Sequence, residues 1–147
     1  MNVILWRHAA AEDTFPDHDR SLTEKGEHQA KKVGEWLRHH LTGTQLTVVS
    51  PSKRTLQTAK WFSEDIHLHA SVKVSSKAEQ IIELIEYPPQ ATDNLIIVAH
   101  QPFLGEVVSR LLTGHSHAIK VHKGAIWWFI HKYGTSHLHT MINPDLL

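Results

Sequence analysis

The chain has 147 residues, 41% of them hydrophobic and 20% charged, and its formal net charge is +0 with histidine counted as neutral. This composition is typical of a globular protein and excludes a disordered chain, while the charge balance argues against a general nucleic-acid or membrane-surface binder. The absence of cysteine excludes disulfides, thiolate metal sites and cysteine nucleophiles. No apolar run approaches the roughly 20 residues of a bilayer-spanning helix, and no signal-peptide pattern opens the chain. We expect residues 1–147 to form one domain. We also expect a cytoplasmic monomer that binds neither nucleic acid nor membrane.

Strand and helix patterns alternate along the chain. Short apolar or β-branched runs indicate buried strands, and apolar residues that recur every three or four positions indicate helices. The runs predict strands over residues 3–6, 46–49 and 95–99, and residues 69–74 are compatible with a short edge strand. The helical spacing predicts helices over residues 24–40, 52–62, 78–87 and 104–112.

Capping residues mark the ends of these predicted helices. Thr23 is a good N-cap for the first helix, which is expected to end near Gly43. Ser50 as N-cap and Pro51 at the first helical position predict the start of the second helix. Gly114 predicts a left-handed cap at the end of the last helix.

The last part of the chain predicts a hairpin. Residues 125–130 are aromatic and β-branched, Tyr133 and Gly134 mark a turn, and apolar and polar residues alternate over residues 137–142. Side chains of adjacent strand residues point to opposite faces of the sheet. We therefore expect Trp128 and its neighbours to pack against the helices on those two faces rather than to stack on a ligand. The order of elements predicts a three-layer α/β/α sandwich with a mostly parallel, mixed sheet and helices on both faces.

Three predicted strands end in residues that can bind an anion or move a proton. The first ends in Arg7 and His8, the second in Ser50 with Arg54 one helical turn later, and the fourth in His100. In a parallel sheet all carboxyl ends lie on one edge, where ligands bind in open α/β folds. The topology is therefore expected to gather two arginines, two histidines and two helix N-termini at one rim.

These residue types suit a dianionic phosphoryl group. The planar fork of arginine donors fits phosphate oxygens in bidentate fashion, and helix N-termini favour anions. Since cysteine is absent, a neutral imidazole is the candidate nucleophile, and its attack on phosphorus forms a covalent phosphohistidine. The arginines, and a second histidine when protonated, would stabilise charge on the phosphoryl oxygens in the transition state.

Four segments resemble the motifs of the histidine phosphatase superfamily, which has the phosphoglycerate-mutase-like fold. Residues 5–9 (LWRHA) resemble its Arg-His-Gly signature, and residues 50–59 (SPSKRTLQTA) resemble its second arginine motif. Residues 22–26 (LTEKG), with Gln29 and Ala30 after them, are similar to its first helix start, and residues 98–102 (VAHQP) resemble its Val-Gly-His-Xaa-Pro segment. One such motif alone is weak, but the ordered set is specific and spans most of the chain.

The resemblance implies a role for each matching residue. By this resemblance His8 is the nucleophile, and Arg7, Arg54 and His100 form the phosphate pocket. Arg20 is implied as a fifth member of the site. The resemblance implies no metal and no cofactor.

Three positions qualify this resemblance. Arg20 stands beside Asp19, so an ordinary loop ion pair is the competing interpretation for that arginine. Ala9 and Ala99 stand where the family has glycine, and we expect ordinary negative φ at both.

The short length and missing insertions resemble the small SixA-type branch, the phosphohistidine phosphatases.

No residue stands out as a general acid for the leaving group. Larger family members carry a glutamate in a region that this chain keeps short, and the remaining candidates are Glu12, Asp17 and Glu79. An alkoxide leaves only with a proton, whereas an imidazole, with a pKa of about 6.5, leaves more easily. An acid-poor pocket therefore favours phosphohistidine over sugar phosphates.

The resemblance implies that the function is hydrolysis of phosphohistidine on a protein, such as a phosphotransfer domain of a two-component or phosphotransferase system. One alternative is a phosphomonoesterase whose substrate is a small phosphorylated molecule. Another is a phosphate-binding module without turnover. A mutase is disfavoured because no residues clearly build a lid that would keep water from a phosphoenzyme.

The chain has 14 histidines, a number that raises the alternative of a metal site. The pairs at residues 67/69, 115/117 and 137/139 have the His-Xaa-His spacing that places two rings on one side of a strand. No convincing third ligand accompanies any pair. We therefore interpret them as surface histidines and predict no metal site.

Overall fold

The computed structural model describes residues 1–147 and contains one six-stranded sheet, four α-helices and three short 3-10 turns. The strands are β1 (Asn2–Arg7), β2 (Gln45–Val49), β3 (Ile66–Leu68), β4 (Asn94–Ala99), β5 (Ile126–Lys132) and β6 (Thr135–Ile142). The helices are α1 (Glu24–His40), α2 (Lys53–Ala59), α3 (Ala78–Glu86) and α4 (Phe103–Thr113).

The sheet is mixed and mostly parallel, as the alternating pattern predicts. Its strand order is β3-β2-β4-β1-β5-β6. β1 and β2 both pair in parallel with β4, and β3 pairs in parallel with β2. The hairpin contributes β5, which is antiparallel to both β1 and β6. The carboxyl ends of β1, β2 and β4 therefore share one edge of the sheet.

Helices cover both faces of this sheet, which confirms the three-layer fold. Val3 and Leu5 of β1 belong to the core cluster formed with α3 and α4. Ile4 and Trp6 belong to the other cluster, formed with α1 and α2, because successive strand residues point to opposite faces. Trp128 joins that second cluster, where its ring meets Trp36 edge to face at 6.1 Å. None of the four helices has the length and apolar character needed to cross a membrane.

Several predicted helix ends and turns are confirmed. Thr23 caps α1 by accepting a hydrogen bond from the Gly26 N–H at 3.0 Å. Gly114 follows α4 with φ of 79°. The hairpin turn places Tyr133 and Gly134 at positive φ, 53° and 73° respectively. α1 itself ends at His40, so Gly43 lies in the loop that follows rather than at the helix end.

The start of α2 differs from the prediction. The N-cap is Ser52, not Ser50, and α2 begins at Lys53, so Pro51 precedes the helix. The Ser50 N–H donates to Val98 O at 3.0 Å, which continues the hydrogen bonding of the sheet edge, so the helix starts only afterwards. α2 also ends at Ala59, earlier than predicted.

The edge strand is also displaced from the predicted position. It covers Ile66–Leu68, and the predicted stretch instead forms a 3-10 turn over Ala70–Val72. His69 caps this turn, because its Nδ1 accepts a hydrogen bond from the Ser71 N–H at 3.1 Å. Side-chain bonding to a nearby backbone group thus competes with strand pairing at this position.

Candidate functional site

The edge formed by β1, β2 and β4 brings together the residues that were predicted to meet there. The His8 N–H donates to Ala99 O at 3.1 Å, which places His8 next to the end of β4. The rings of His8 and His100 lie 5.4 Å apart between centroids, and an Arg54 terminal nitrogen lies 3.4 Å from His100 Nδ1. All three side chains are buried, with relative exposures of 7%, 2% and 4% for His8, His100 and Arg54.

His8 is held as a neutral imidazole with one nitrogen free. Its Nδ1 lies 2.8 Å from the carbonyl oxygen of Ala9, which can only accept, so the proton resides on Nδ1. Nε2 therefore carries the lone pair. Burial lowers the pKa of His8 to about 4; the Ala9 hydrogen bond opposes this shift, and the charges of Arg54 and Arg7 add to it.

The backbone after His8 is fixed from three sides. The Ala9 N–H donates to Thr58 Oγ1 at 3.1 Å, and the same hydroxyl donates to Arg54 O at 2.8 Å. Ala10 N–H donates to Gln29 Oε1 at 3.0 Å. A side chain at Gly26 would collide with the carbonyl of Ala10, so glycine is required for the close approach of α1.

The alanines that replace the family's glycines fit this backbone. Neither Ala9 nor Ala99 has positive φ, as expected. Both side chains are completely buried.

His100 is oriented by a buried serine. Its Nδ1 faces a terminal nitrogen of Arg54, which can only donate, so Nδ1 is the acceptor and Nε2 donates to Ser50 Oγ, with those two atoms 2.6 Å apart. Burial, together with repulsion from a protonated His8 and the charge of Arg54, lowers the pKa of His100 to about 3. Both rings are neutral in the free protein because two arginines and burial oppose a further positive charge.

Both arginines have a donor without a protein partner. Arg54 donates from one terminal nitrogen to Asp17 O at 2.8 Å and from the other to the Asp17 carboxylate at 3.1 Å, while its Nε is unpaired. Arg7 donates to Val121 O at 2.9 Å, and its Nε is also unpaired. Leaving such a buried donor unpaired costs about 1–3 kcal/mol, more for a charged group. Both Nε atoms are screened from solvent, so an anion would supply these acceptors only once the neighbouring side chains shift to admit it.

Arg20 lies in the loop beside this site, but its ion-pair partner differs from the prediction. Its side chain donates to Glu12 O at 2.7 Å and lies 3.4 Å from Asp17 Oδ1. Asp19 lies 3.9 Å from Lys53 instead. Asp17, rather than Asp19, is therefore shared between Arg20 and Arg54.

The candidate acids have different surroundings. Partial burial raises the pKa of the Asp17 carboxyl, but the charge and hydrogen bonds of Arg54 and Arg20 outweigh this and lower it below its usual value. Asp17 is therefore a carboxylate and not a proton donor at neutral pH. Glu79 pairs with Arg110 at 3.0 Å, in the last turn of α4, away from the end that carries His100. Glu12 lies exposed in the loop and contributes its backbone oxygen to Arg20.

Sequence reasoning missed two residues of the site. The sequence pattern identifies Ser50 as a helix cap and gives it no role toward His100, and it does not single out Thr58. A signal existed for Thr58, since it follows Arg54 by four positions and so shares its helix face. No sequence signal pairs Ser50 with His100, because that contact joins two strand ends that are 50 residues apart.

The other histidines form no cluster that could hold a metal ion. No group of three or more histidine, aspartate or glutamate side chains has suitable geometry. His139 packs on the ring of Trp128 at 4.7 Å, and His67 lies 3.5 Å from Asp65. Each of these two histidines therefore belongs to a local surface contact.

Comparisons with known proteins support a common origin for this arrangement. Residues 3–77 match the family model of the histidine phosphatase superfamily (branch 1), a segment that includes Arg7, His8 and Arg54. A protein of Haemophilus influenzae described as a phosphohistidine phosphatase SixA homolog is 29% identical over 126 residues, which cover 76% of this chain and 77% of that protein.

Solved structures share the whole fold. The protein histidine phosphatase SixA complexed with tungstate superposes with a TM-score of 0.87 over 99% of both chains, at 19% identity. A phosphoserine phosphatase mutant of Entamoeba histolytica in complex with phosphoserine superposes with a TM-score of 0.76 over 99% of this chain and 98% of that one, at 18% identity. The same fold thus occurs in phosphatases that differ in substrate.

Proposed function

The chain belongs to the histidine phosphatase superfamily and is a phosphatase, and we propose that it acts through a covalent phosphohistidine on His8. The proposed substrate is phosphohistidine carried on a protein. In this proposal Arg7, Arg54 and His100 bind the phosphoryl oxygens, and Arg20 acts from the adjacent loop. No metal or cofactor takes part.

One observation carries this proposal: a neutral His8 lies beside two arginines that each keep an unpaired donor. The Nε2 lone pair is free because Nδ1 donates to Ala9 O. The Nε groups of Arg7 and Arg54 have no protein acceptor. A phosphoryl group would supply the missing acceptors and present phosphorus to the nucleophile.

In the first step, the Nε2 lone pair of His8 attacks phosphorus while the bond from phosphorus to the substrate nitrogen breaks. The phosphorylated ring on His8 then carries a positive charge and keeps its Nδ1 proton, which the Ala9 carbonyl holds at 2.8 Å. The positive charge of the arginines offsets the charge that develops on the phosphoryl oxygens.

In the second step, the oxygen of water attacks phosphorus and the bond from phosphorus to Nε2 breaks. The electron pair returns to Nε2, so His8 becomes the neutral imidazole again, with its proton still on Nδ1. Inorganic phosphate leaves, and one proton of the water passes to solvent. The order of bonds made and broken requires no proton donor from the protein in this step.

The leaving group supports phosphohistidine as the substrate. A substrate phosphohistidine that is protonated on its second ring nitrogen leaves as neutral imidazole and needs no acid from the enzyme. An alkoxide would need one, and Asp17, the carboxyl that contacts Arg54, is ionised. The similarity to the Haemophilus influenzae protein points the same way.

A small-molecule phosphomonoesterase is the second candidate function. It is favoured by the similarity in fold to the Entamoeba histolytica phosphoserine phosphatase. It would require that a group outside the pocket, such as Glu12 of the exposed loop, protonates the leaving oxygen. The third candidate is a phosphate-binding module, which would bind a phosphoryl group in the same pocket without hydrolysing it.

A turnover panel tests the proposal. Purified protein is assayed with a phosphohistidine peptide, phosphoramidate and a sugar phosphate, and we expect hydrolysis in that order of decreasing rate. His8→Ala should abolish turnover, and an acid-labile phosphoryl adduct should be detected on wild-type His8 by mass spectrometry. His137→Ala, which changes an exposed histidine of β6, is the matched control and should retain activity.

Three outcomes distinguish the candidates. Faster hydrolysis of the sugar phosphate than of phosphohistidine supports the phosphomonoesterase. Phosphate binding without turnover of any compound supports the binding module. Full activity of the His8→Ala variant contradicts the covalent mechanism.

A further inference from the structure

A basic cleft lies directly beside Arg7. It has a volume of about 300 Å³, and Arg7 is one of its walls. Lys25 at the start of α1 forms a second wall, and Lys120 and Lys123 in the segment before β5 form a third. The three lysine side chains are exposed, so their charges are available to a ligand.

The segment that carries two of these lysines is anchored to the catalytic edge of the sheet. The Gly124 N–H lies 3.2 Å from Arg7 O and 3.1 Å from His8 O. Arg7 donates to Val121 O, and Trp6 Nε1 donates to Gly124 O at 3.1 Å. Lys120 immediately precedes this anchored stretch and Lys123 lies within it, so the cleft has a defined position relative to His8.

The positive charge of the cleft is not neutralised within the chain. No carboxylate lies within 4 Å of the amino groups of Lys25, Lys120 or Lys123, whereas other cations of the chain, such as Arg110, do have such a partner. Asp145 is the single acidic residue that lines the cleft. A protein whose formal net charge is +0 thus concentrates unpaired lysines next to its phosphoryl-binding arginine.

We propose that this cleft binds carboxylates of the substrate protein that lie beside its phosphorylated histidine. The chain would then select phosphohistidines that are surrounded by aspartate and glutamate. This inference rests on the proposed function, because it assumes that the phosphoryl group lies between Arg7 and His8. Lys25, Lys120 and Lys123 act as specificity-determining residues, and they contact the partner rather than the phosphoryl group.

A protein surface fits the cleft better than one small anion does. Three lysines from two separate chain segments offer more positive charge than one carboxylate neutralises. Exposed charges at the rim of an interface favour a partner of opposite charge and accelerate its association. Since one exposed ion pair contributes little to affinity, several must act together to give selectivity.

The test compares two phosphohistidine peptides of equal length, one flanked by Asp and Glu and the other by Asn and Gln. Dissociation constants are measured at low salt on the His8→Ala protein, which cannot turn the peptides over. We expect the acidic peptide to bind about tenfold more tightly. In His8→Ala/Lys120→Ala/Lys123→Ala this ratio should fall towards 1, and added salt should reduce it in the parent protein.

The matched control removes two lysines elsewhere. Lys32 is exposed on α1, and Lys132 lies at the far end of β5, beside the beginning of β1. The Lys32→Ala/Lys132→Ala pair lowers the net charge by the same amount and should leave the tenfold preference intact. An equal loss in this control would mean that net charge alone sets the preference, which would overturn the proposal.

Two further results would also overturn it: equal binding of the two peptides by the parent protein, or a preference that survives removal of Lys120 and Lys123. 3-Phosphoglycerate carries a carboxylate that glycerol 3-phosphate lacks. If the protein binds the first compound more tightly, if this preference depends on the lysines, and if it does not distinguish the two peptides, then the ligand of the cleft is a small carboxylate and not a protein. Wild-type turnover separates the two proposals. If neither peptide is hydrolysed but the preference depends on the lysines, the proposed hydrolysis fails, while the binding of flanking carboxylates by the cleft is still supported.

Discussion

The guanidinium of Arg54 donates two hydrogen bonds to Asp17, one to its backbone oxygen at 2.8 Å and one to its carboxylate at 3.1 Å. Arg54 is almost completely buried, whereas the Asp17 side chain is 58% exposed. The carboxylate therefore occupies a donor that a phosphoryl oxygen could use, and it brings a negative charge to an anion site. The backbone contact orients Arg54 independently of that charge.

We predict that Asp17→Asn tightens the binding of inorganic phosphate. The substitution removes a like charge from the neighbourhood of the bound anion but preserves the backbone contact to Arg54. The inhibition constant for phosphate should fall about three- to tenfold, which corresponds to roughly 1 kcal/mol of relieved repulsion. Asp19→Asn, which removes the same charge at a residue that lies near Lys53, is the control and should change it little. Weaker phosphate binding in Asp17→Asn would mean that the carboxylate chiefly positions Arg54.

Ser50→Ala should slow turnover by releasing His100. The substitution leaves the buried Nε2–H of His100 without its acceptor, which costs about 1–3 kcal/mol. Since the ring is then free to change orientation, we expect kcat to fall about tenfold or more, while the free energy of unfolding also falls. Ser109→Ala is the control, because Ser109 is also buried and its Oγ donates to His115 O at 2.7 Å on the far end of α4. The Ser109→Ala variant should have a lower free energy of unfolding than wild type but an unchanged kcat.

Thr58→Val should show that one hydroxyl couples α2 to the segment after His8. Valine preserves the shape of threonine but leaves the Ala9 N–H without an acceptor. We expect unfolding to become easier by about 1–3 kcal/mol and kcat to fall about 10- to 100-fold, because the His8 ring loses its fixed position. Thr113→Val removes the same type of hydroxyl contact, from Thr113 to Ser109 O at 2.9 Å in α4, and should leave kcat unchanged. Equal kcat values in the two variants would contradict the positioning role.

Stability should decrease as the pH falls from about 6.5 to about 4. In the unfolded chain His8 and His100 bind protons near pH 6.5, but in the folded protein burial holds their pKa values at about 4 and about 3. Within this window the unfolded chain binds protons that the folded chain does not, so the free energy of unfolding falls with decreasing pH. Above pH 6.5 both histidines are neutral in both states, and their contribution is fully present.

Denaturant unfolding between pH 4.5 and 7.5 measures this effect. The slope of the unfolding free energy against pH should be smaller in His8→Ala/His100→Ala than in wild type. His137→Ala/His139→Ala, on the hairpin, should retain the wild-type slope. Identical slopes in all three proteins would show that the site histidines titrate normally. By the same argument, kcat/KM should show no loss from His8 protonation near pH 6.5.

The periodicity of the sequence was sufficient for the fold. Apolar runs at β1, β2 and β4 and helical spacing at α1, α3 and α4 are local properties, and each segment buries the face that its own pattern marks. Where a segment is short and polar the pattern failed. β3 has three residues and little buried surface, so capping by His69, and not hydrophobic pattern, decides where the backbone turns.

The sequence also determined which residues meet at the site, because parallel strands deliver their carboxyl ends to one edge. That rule alone placed Arg7, His8, Arg54 and His100 together. Only the tertiary structure decided their chemical state. The proton on His8 Nδ1, the Ser50 contact of His100 and the ionised Asp17 arise from neighbours that are distant in sequence. Hydrogen bonds and burial act through space, so no local pattern of residues could specify them.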